Sequence, residues 1–218
     1  MENKEIMLDE IQYDAVSNYP MVKIEEKVLD FDLEIYDPVK DEVINKKISD
    51  FKWNWLVLMF YPADFTFVCP TELKDLNNHY KEINDLWDVQ VLWASTDTVF
   101  SHRGWIENEK LLEWFQIPLI SDRRTILSRY FGILNESTWN SERWSFVISP
   151  EWVLKSIEII TEPVGRSAKE LIRRLKALKF TTENTGSACP ANWIDDAPVL
   201  KPSIKKAWHI GDDFKVRE

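Results

Sequence analysis

Residues 55–61, Trp-Leu-Val-Leu-Met-Phe-Tyr, form an unbroken apolar run that Pro62 stops. A run with no polar face predicts a strand buried on both sides. A second run of the same character covers 89–94. Between them, Leu73, Leu76, Tyr80, Ile83 and Leu86 keep the spacing of one helix face, which predicts a helix over 73–86. Strand, amphipathic helix and strand in that order place the chain among the α/β folds.

The flanking segments extend this pattern. Residues 28–36 alternate loosely before Asp37-Pro38 and predict a strand. A helix is expected over 102–114 and a short strand over 117–120, leading into Ser121-Asp122. Residues 145–148 and 153–160, joined by Ser149-Pro150-Glu151-Trp152, predict an antiparallel hairpin. Ser167 with Glu170 three positions later is a capping box for a helix over 167–178. The sheet is therefore expected to be mixed. The weakly periodic, charged residues 1–25 are expected to form an N-terminal arm or an added edge element. Residues 26–180 form the main domain, and 181–218, richer in Pro, Asp and Lys, an extended C-terminal arm.

Charge narrows the function. The net charge of −10 and pI near 4.9 argue against nucleic acid or an anionic membrane as the main partner, since both call for a basic face. No apolar run approaches the roughly 18 residues of a membrane span. The opening Met1-Glu2-Asn3-Lys4-Glu5 carries no apolar signal segment, so a cytoplasmic location is expected. Two cysteines are too few for a disulfide framework, which leaves Cys69 and Cys189 as candidates for chemistry. His79, His102 and His209 lack ligand-like spacing, so no metal is expected, and the absence of a Cys-x-x-Cys pair argues against a dithiol exchanger.

Cys69 lies between the first buried strand and the helix, at or near the helix's first turn. Free backbone N–H groups and the positive end of the helix dipole favour a thiolate there. Thr66, three residues earlier, can turn its hydroxyl to the same pocket, and Pro62 can shield the sulfur from water. An arbitrary cysteine after a strand is usually a small buried hydrophobe. The Pro62-x-x-x-Thr66-x-x-Cys69 spacing sets this one apart.

The thirteen residues from Tyr61 to Leu73 resemble the active-site loop of the typical two-cysteine peroxiredoxins, close to the bacterial alkyl hydroperoxide reductase C type. The resemblance extends to Ser95-Thr96-Asp97 with His102 and Trp105, to Ile117-Pro118-Leu119-Ile120-Ser121-Asp122, and to Arg143 before Ser145-Phe146-Val147-Ile148. Pro163-Val164-Gly165-Arg166-Ser167 and Gly186-Ser187-Ala188-Cys189-Pro190-Ala191-Asn192-Trp193 also match, so the resemblance runs from about 25 to about 210.

This resemblance implies a thioredoxin-like fold, with a central mixed sheet flanked by helices and a C-terminal arm carrying the resolving cysteine. It also implies a thiol peroxidase acting on hydrogen peroxide and organic hydroperoxides, with no metal or organic cofactor. Cys69 attacks the peroxide, Thr66 hydrogen-bonds the sulfur and the peroxide, Arg143 holds the developing charge and Pro62 shields the thiolate. Glu72, one turn after Cys69, orients an arginine or simply serves as an acid at the helix N-terminus. Cys189 resolves the sulfenic acid from the partner subunit, which implies a head-to-tail homodimer with an intersubunit disulfide, alone or in a ring of dimers. A thioredoxin-like or flavin-linked disulfide reductase restores the thiols. The competing expectation is a holdase-type chaperone or peroxide-sensing scaffold with little turnover. The family's Gly-Gly-Leu-Gly sensitivity motif is absent from 109–116 and the tail has no Tyr-Phe pair, which implies resistance to over-oxidation.

One count is abnormal: 11 tryptophans against 5 glycines. Trp55, Trp105 and Trp193 stand where resembling chains also carry Trp, and Trp114 is undecided. Trp53, Trp87, Trp93, Trp139, Trp144, Trp152 and Trp208 stand where those chains commonly carry Gly. Trp87, after a helix, and Trp152, in a turn, are sites where a left-handed backbone is expected. UGA codons read as glycine in the source cell would produce this pattern. Reassigning these seven residues gives an ordinary composition.

Overall fold

The structure, a computed structural model, describes residues 22–86 and 88–213. Seven strands form one mixed sheet in the order β2-β1-β5-β4-β3-β6-β7. They are β1 Asp32–Asp37, β2 Glu42–Lys47, β3 Trp55–Phe60, β4 Val89–Ser95, β5 Leu119–Ser121, β6 Trp144–Ile148 and β7 Leu154–Ile159. The two apolar runs become the central parallel pair, in register from Trp55 opposite Val89 to Phe60 opposite Ala94. All of β3 is buried, as a strand without a polar side requires. β5 runs parallel to β4, and β6 runs antiparallel to β3 on the other side. β6 and β7 form the expected antiparallel hairpin.

The helices are α1 Cys69–Asn78, α2 Tyr80–Asn84, α3 Val99–Asn108, α4 Ile126–Tyr130, α5 Ala168–Glu183 and α6 Ile210–Asp213. The single helix expected over 73–86 starts earlier, at Cys69, and breaks at His79, whose ring Nδ1 lies 2.8 Å from the Asp75 carbonyl oxygen. The helix expected over 102–114 occupies Val99–Asn108 instead. Thr98 caps it by accepting from the Ser101 N–H, and a 3-10 turn, Lys110–Leu112, follows. The first strand begins at Asp32, with only an isolated bridge from Lys27 to Val153 before it. β2 is an addition: its Glu-Val-Ile-Asn-Lys-Lys sequence lies at the sheet edge, mostly exposed, and shows no alternation to read.

The chain divides into two compact units, one up to Arg166 and one from Ser167 onward. The first holds the sheet and α1–α4, with a core in which Phe60, Phe131 and Phe146 meet ring to ring. In the second, the Ser167 side chain caps α5 by accepting from the Glu170 N–H, and the helix runs to Glu183, past the expected start of the arm. The arm packs back on α5: the Trp193 ring meets Phe180 at 5.0 Å, and Asp195 pairs with Lys176 at 3.0 Å. Of the expected N-terminal arm only 22–25 are described, tied by the Glu25 N–H to the Leu154 carbonyl at 2.8 Å.

Backbone angles bear on the tryptophans. Trp152 has φ 70°, as its turn demands, and Trp53, Trp139 and the undecided Trp114 are left-handed as well, at 71°, 60° and 65°. Trp93 and Trp144 lie in strands, and Trp87 is outside the described residues. A left-handed backbone costs a non-glycine residue roughly 1–2 kcal/mol. Trp53 and Trp114 are 83% and 82% exposed, so little burial offsets that cost. Trp53→Gly and Trp114→Gly are each expected to raise unfolding stability by about 1 kcal/mol, read from the denaturant midpoint.

Candidate active site

The site grows from the end of β3. The Tyr61 N–H still donates to the Ala94 carbonyl at 3.0 Å, and Pro62, which has no N–H, ends the pairing. A loop over 63–68 then delivers Cys69 as the first residue of α1. Pro70 follows in the first turn, where a missing N–H carries no penalty. Cys69 is 1% exposed.

Arg143, just ahead of β6, aims its guanidinium at the sulfur, with Nη2 3.5 Å from Cys69 Sγ. Its Nε donates to the Glu162 carbonyl at 3.1 Å, and its Nη1 donates to the Glu72 carboxylate. Glu72 stands one turn after Cys69 on α1, so the helix that presents the sulfur also presents the acid that orients the arginine. Of the two roles expected for Glu72, the geometry supports the orienting one.

A second arginine completes the cluster. Glu72 Oε1 accepts from the Arg166 backbone N–H at 2.7 Å and from its Nε at 2.9 Å. Arg166 Nη1 donates to the Trp144 carbonyl at 2.8 Å and to Ser145 Oγ at 3.1 Å, which ties the guanidinium to β6. A Cβ on Gly165 would sit in ordinary van der Waals contact with Glu72 Cγ and Val68 Cγ1, at 3.4 Å. The three ionic side chains are 1–2% exposed. Two guanidiniums and one carboxylate leave one positive charge in a dry site beside the sulfur.

Arg166 lies in a segment quoted for its resemblance, yet the sequence did not mark it as a site residue. Its partner Glu72 is 94 positions away, and a lone arginine before a helix carries no local signal. Pro62 is buried at its expected place. Thr66 is half-buried on the loop, but its hydroxyl donates to the Ala63 carbonyl at 2.8 Å rather than to the sulfur, since it has one proton to give. Cys189 stands in the second unit, half-buried, with Sγ 3.8 Å from the Ala177 carbonyl oxygen. Burial pushes its thiol pKa up, against a smaller downward pull from Arg173. Both cysteines are free. Among the described residues no cluster of His, Cys, Asp and Glu is placed to hold a metal, and no helix is long and apolar enough to cross a membrane.

Residues 24–157 match the AhpC/TSA family model, and 177–212 match the model of the C-terminal domain of 1-Cys peroxiredoxin. The chain is a peroxiredoxin of the AhpC/TSA family. This peroxiredoxin is 38% identical to alkyl hydroperoxide reductase C of Staphylococcus epidermidis over 84% of its own length and 97% of the relative's. It is 43% identical to that of Ferdinandcohnia aciditolerans over 75% and 96%. Its fold superposes on the crystal structure of Enterococcus faecalis AhpC with a TM-score of 0.73 at 36% identity, covering 78% of this chain and all of that one. On reduced Plasmodium vivax 2-Cys peroxiredoxin the TM-score is 0.77 at 25% identity, covering 84% and 94%. The sheet and its helices are thus the thioredoxin-like fold of peroxiredoxins, and the protein is a peroxidase.

Two outcomes follow from the geometry. Glu72→Gln leaves two buried guanidiniums without their counter-charge and is expected to lower stability by about 3 kcal/mol in chemical denaturation. Because the raised pKa keeps the Cys189 thiol protonated near pH 8, iodoacetamide should label Cys189 in a Cys69→Ser chain more slowly than free cysteine at that pH. The gap should close as the pH rises.

Proposed function

We propose that Cys69 reduces hydrogen peroxide and organic hydroperoxides, and that Cys189 resolves the product across a homodimer. The carrying observation is the 3.5 Å contact from Arg143 Nη2 to Cys69 Sγ at the N-terminus of a ten-residue helix. Both features favour negative charge on the sulfur. The sulfur of the thiolate bonds the distal peroxide oxygen as the O–O bond breaks. The alkoxide or hydroxide leaves and takes up a proton, and Cys69 becomes a sulfenic acid. Arg143 holds the oxygens as charge moves onto the leaving group. Thr66 has its proton engaged by Ala63, which leaves its oxygen free to accept the peroxide O–H. Pro62 covers the site from water.

The partner subunit's Cys189 gives up its thiol proton and attacks the sulfenic sulfur, and the displaced hydroxide takes up that proton and leaves as water, which forms an intersubunit disulfide. Helix α1 opens at its first turn to let the sulfurs meet. A thioredoxin-like or flavin-linked disulfide reductase returns both thiols. Assembly is as a head-to-tail dimer or a ring of dimers, in the cytoplasm.

Peroxide consumption with a thioredoxin-type reductant tests this reading. Cys69→Ser is expected to abolish it, and Arg143→Met to lower the rate constant of Cys69 oxidation about 10²–10³-fold. Cys189→Ser should oxidise once and show no covalent dimer on a non-reducing gel. Wild-type protein that consumes no peroxide with either class of reductant refutes the proposal.

A further inference from the structure

Two buried polar side chains near the site take no part in the peroxide chemistry. The side chains of Asp64 and His102 are 1% and 0% exposed and meet at 2.9 Å. His102 Nε2 lies 3.2 Å from the Ile120 carbonyl oxygen, an acceptor only, so this nitrogen donates. Nδ1 faces the Asp64 carboxyl group and shares a hydrogen bond with it at 2.9 Å. The Tyr61 hydroxyl gives Asp64 a second bond at 2.6 Å. Such a pair adds little to stability over an apolar core of the same shape, so its value lies in what it fixes.

What it fixes is the loop before Cys69. The Asp64 N–H donates to Asp97 Oδ2 at 2.9 Å, so the residue is anchored through both side chain and backbone. The next residue, Phe65, has φ 56° and is 61% exposed, with its ring tilted against the flank of Trp105 at a centroid distance of 6.4 Å. Burial therefore does not hold it in that conformation. Its neighbours do: Asp64 on one side, and on the other the Thr66 hydroxyl bonded back to Ala63. A strained residue persists where its surroundings over-determine it.

We propose that the Asp64–His102 pair, with the Tyr61 hydroxyl, is a positioning device that holds Phe65 left-handed and thereby sets Thr66 and Cys69 for attack on peroxide. The proposal rests on the peroxidase reading of Cys69. The chain must leave this conformation for Cys69 to reach Cys189, so the pair favours the first step and opposes the second.

Stopped-flow measurement of Cys69 oxidation and of disulfide formation in full-length protein separates the two steps. Tyr61→Phe removes one hydroxyl and leaves the ring, so the fold survives. It is expected to slow Cys69 oxidation about tenfold while disulfide formation keeps its rate or speeds up. His102→Leu should slow the first step further, and His102→Gln, which restores a donor to Asp64, should recover part of it. Equal slowing of both steps, or an unchanged first step in Tyr61→Phe and His102→Gln alike, overturns the proposal. Failure of wild-type Cys69 to react with peroxide overturns the peroxidase reading instead.

The tryptophan backbone carries a second, independent inference. Four tryptophans occupy the left-handed region beside Gly132 at 68° and Gly186 at 81°. Asn and Asp tolerate that region through local hydrogen bonds, which an indole ring does not offer its own backbone, although Trp139 and Trp152 meet Arg129 and Lys52. Three of the four are 49–83% exposed. Trp93, fully buried, leaves its indole N–H with no hydrogen-bond partner, which a native core avoids. We infer that Trp53, Trp93, Trp114, Trp139 and Trp152 are encoded by UGA and are glycine in the native protein. The gene sequence, read with peptide masses of protein from the source cell, tests this. UGA codons with glycine-mass peptides are expected. UGG codons at these positions, or tryptophan in the native peptides, overturn the inference.

Discussion

Glu72 sits between two buried guanidiniums, and the active site depends on that arrangement. Arg143 alone would be a long, flexible cation with several places to point. Bonded through Nη1 to Glu72 and through Nε to the Glu162 carbonyl, it has one remaining edge, and that edge faces Cys69. Arg166 in turn grips Glu72 from the other side and fastens the cluster to β6. Removing Glu72 leaves two buried guanidiniums unanswered, which costs more than the lost contacts themselves. The surplus positive charge of the trio lies next to the sulfur.

The fold serves this cluster by bringing three distant stretches together. The doubly buried β3 sets the loop and α1 at the edge of the sheet, carrying Cys69 and Glu72. β6, antiparallel to β3, brings Arg143 alongside. The turn after β7 returns Arg166 to Glu72. Parallel pairing of β3 with β4 places the Ser95–Asp97 corner beneath the loop, where Asp97 receives the Asp64 N–H.

Much of this was legible in the sequence, for physical reasons. A strand buried on both faces has to read as an unbroken apolar run, so β3 announced itself, and β4 did so with one exposed interruption at Gln90. The proline, threonine and cysteine of the loop lie within eight residues, so their pattern survives in one dimension. Edge strand β2 did not show, because its side chains meet water on both faces. The break at His79 depends on a ring reaching back to a carbonyl, which periodicity does not report. Arg166 and the Asp64–His102 pair act across 94 and 38 positions, and nothing local marks either. The tryptophans are a different case: local sequence conflicts with the backbone they occupy, and the conflict points to how the gene was read.

The central claim is that Arg166, through Glu72, aims Arg143 at the sulfur without touching it. The second-order rate constant of Cys69 oxidation by hydrogen peroxide in Arg166→Met, with folding checked by circular dichroism, tests this most directly. A folded variant should oxidise at least about tenfold more slowly than wild type, because Arg143 loses its fixed direction. A folded variant that oxidises at the wild-type rate would contradict the account.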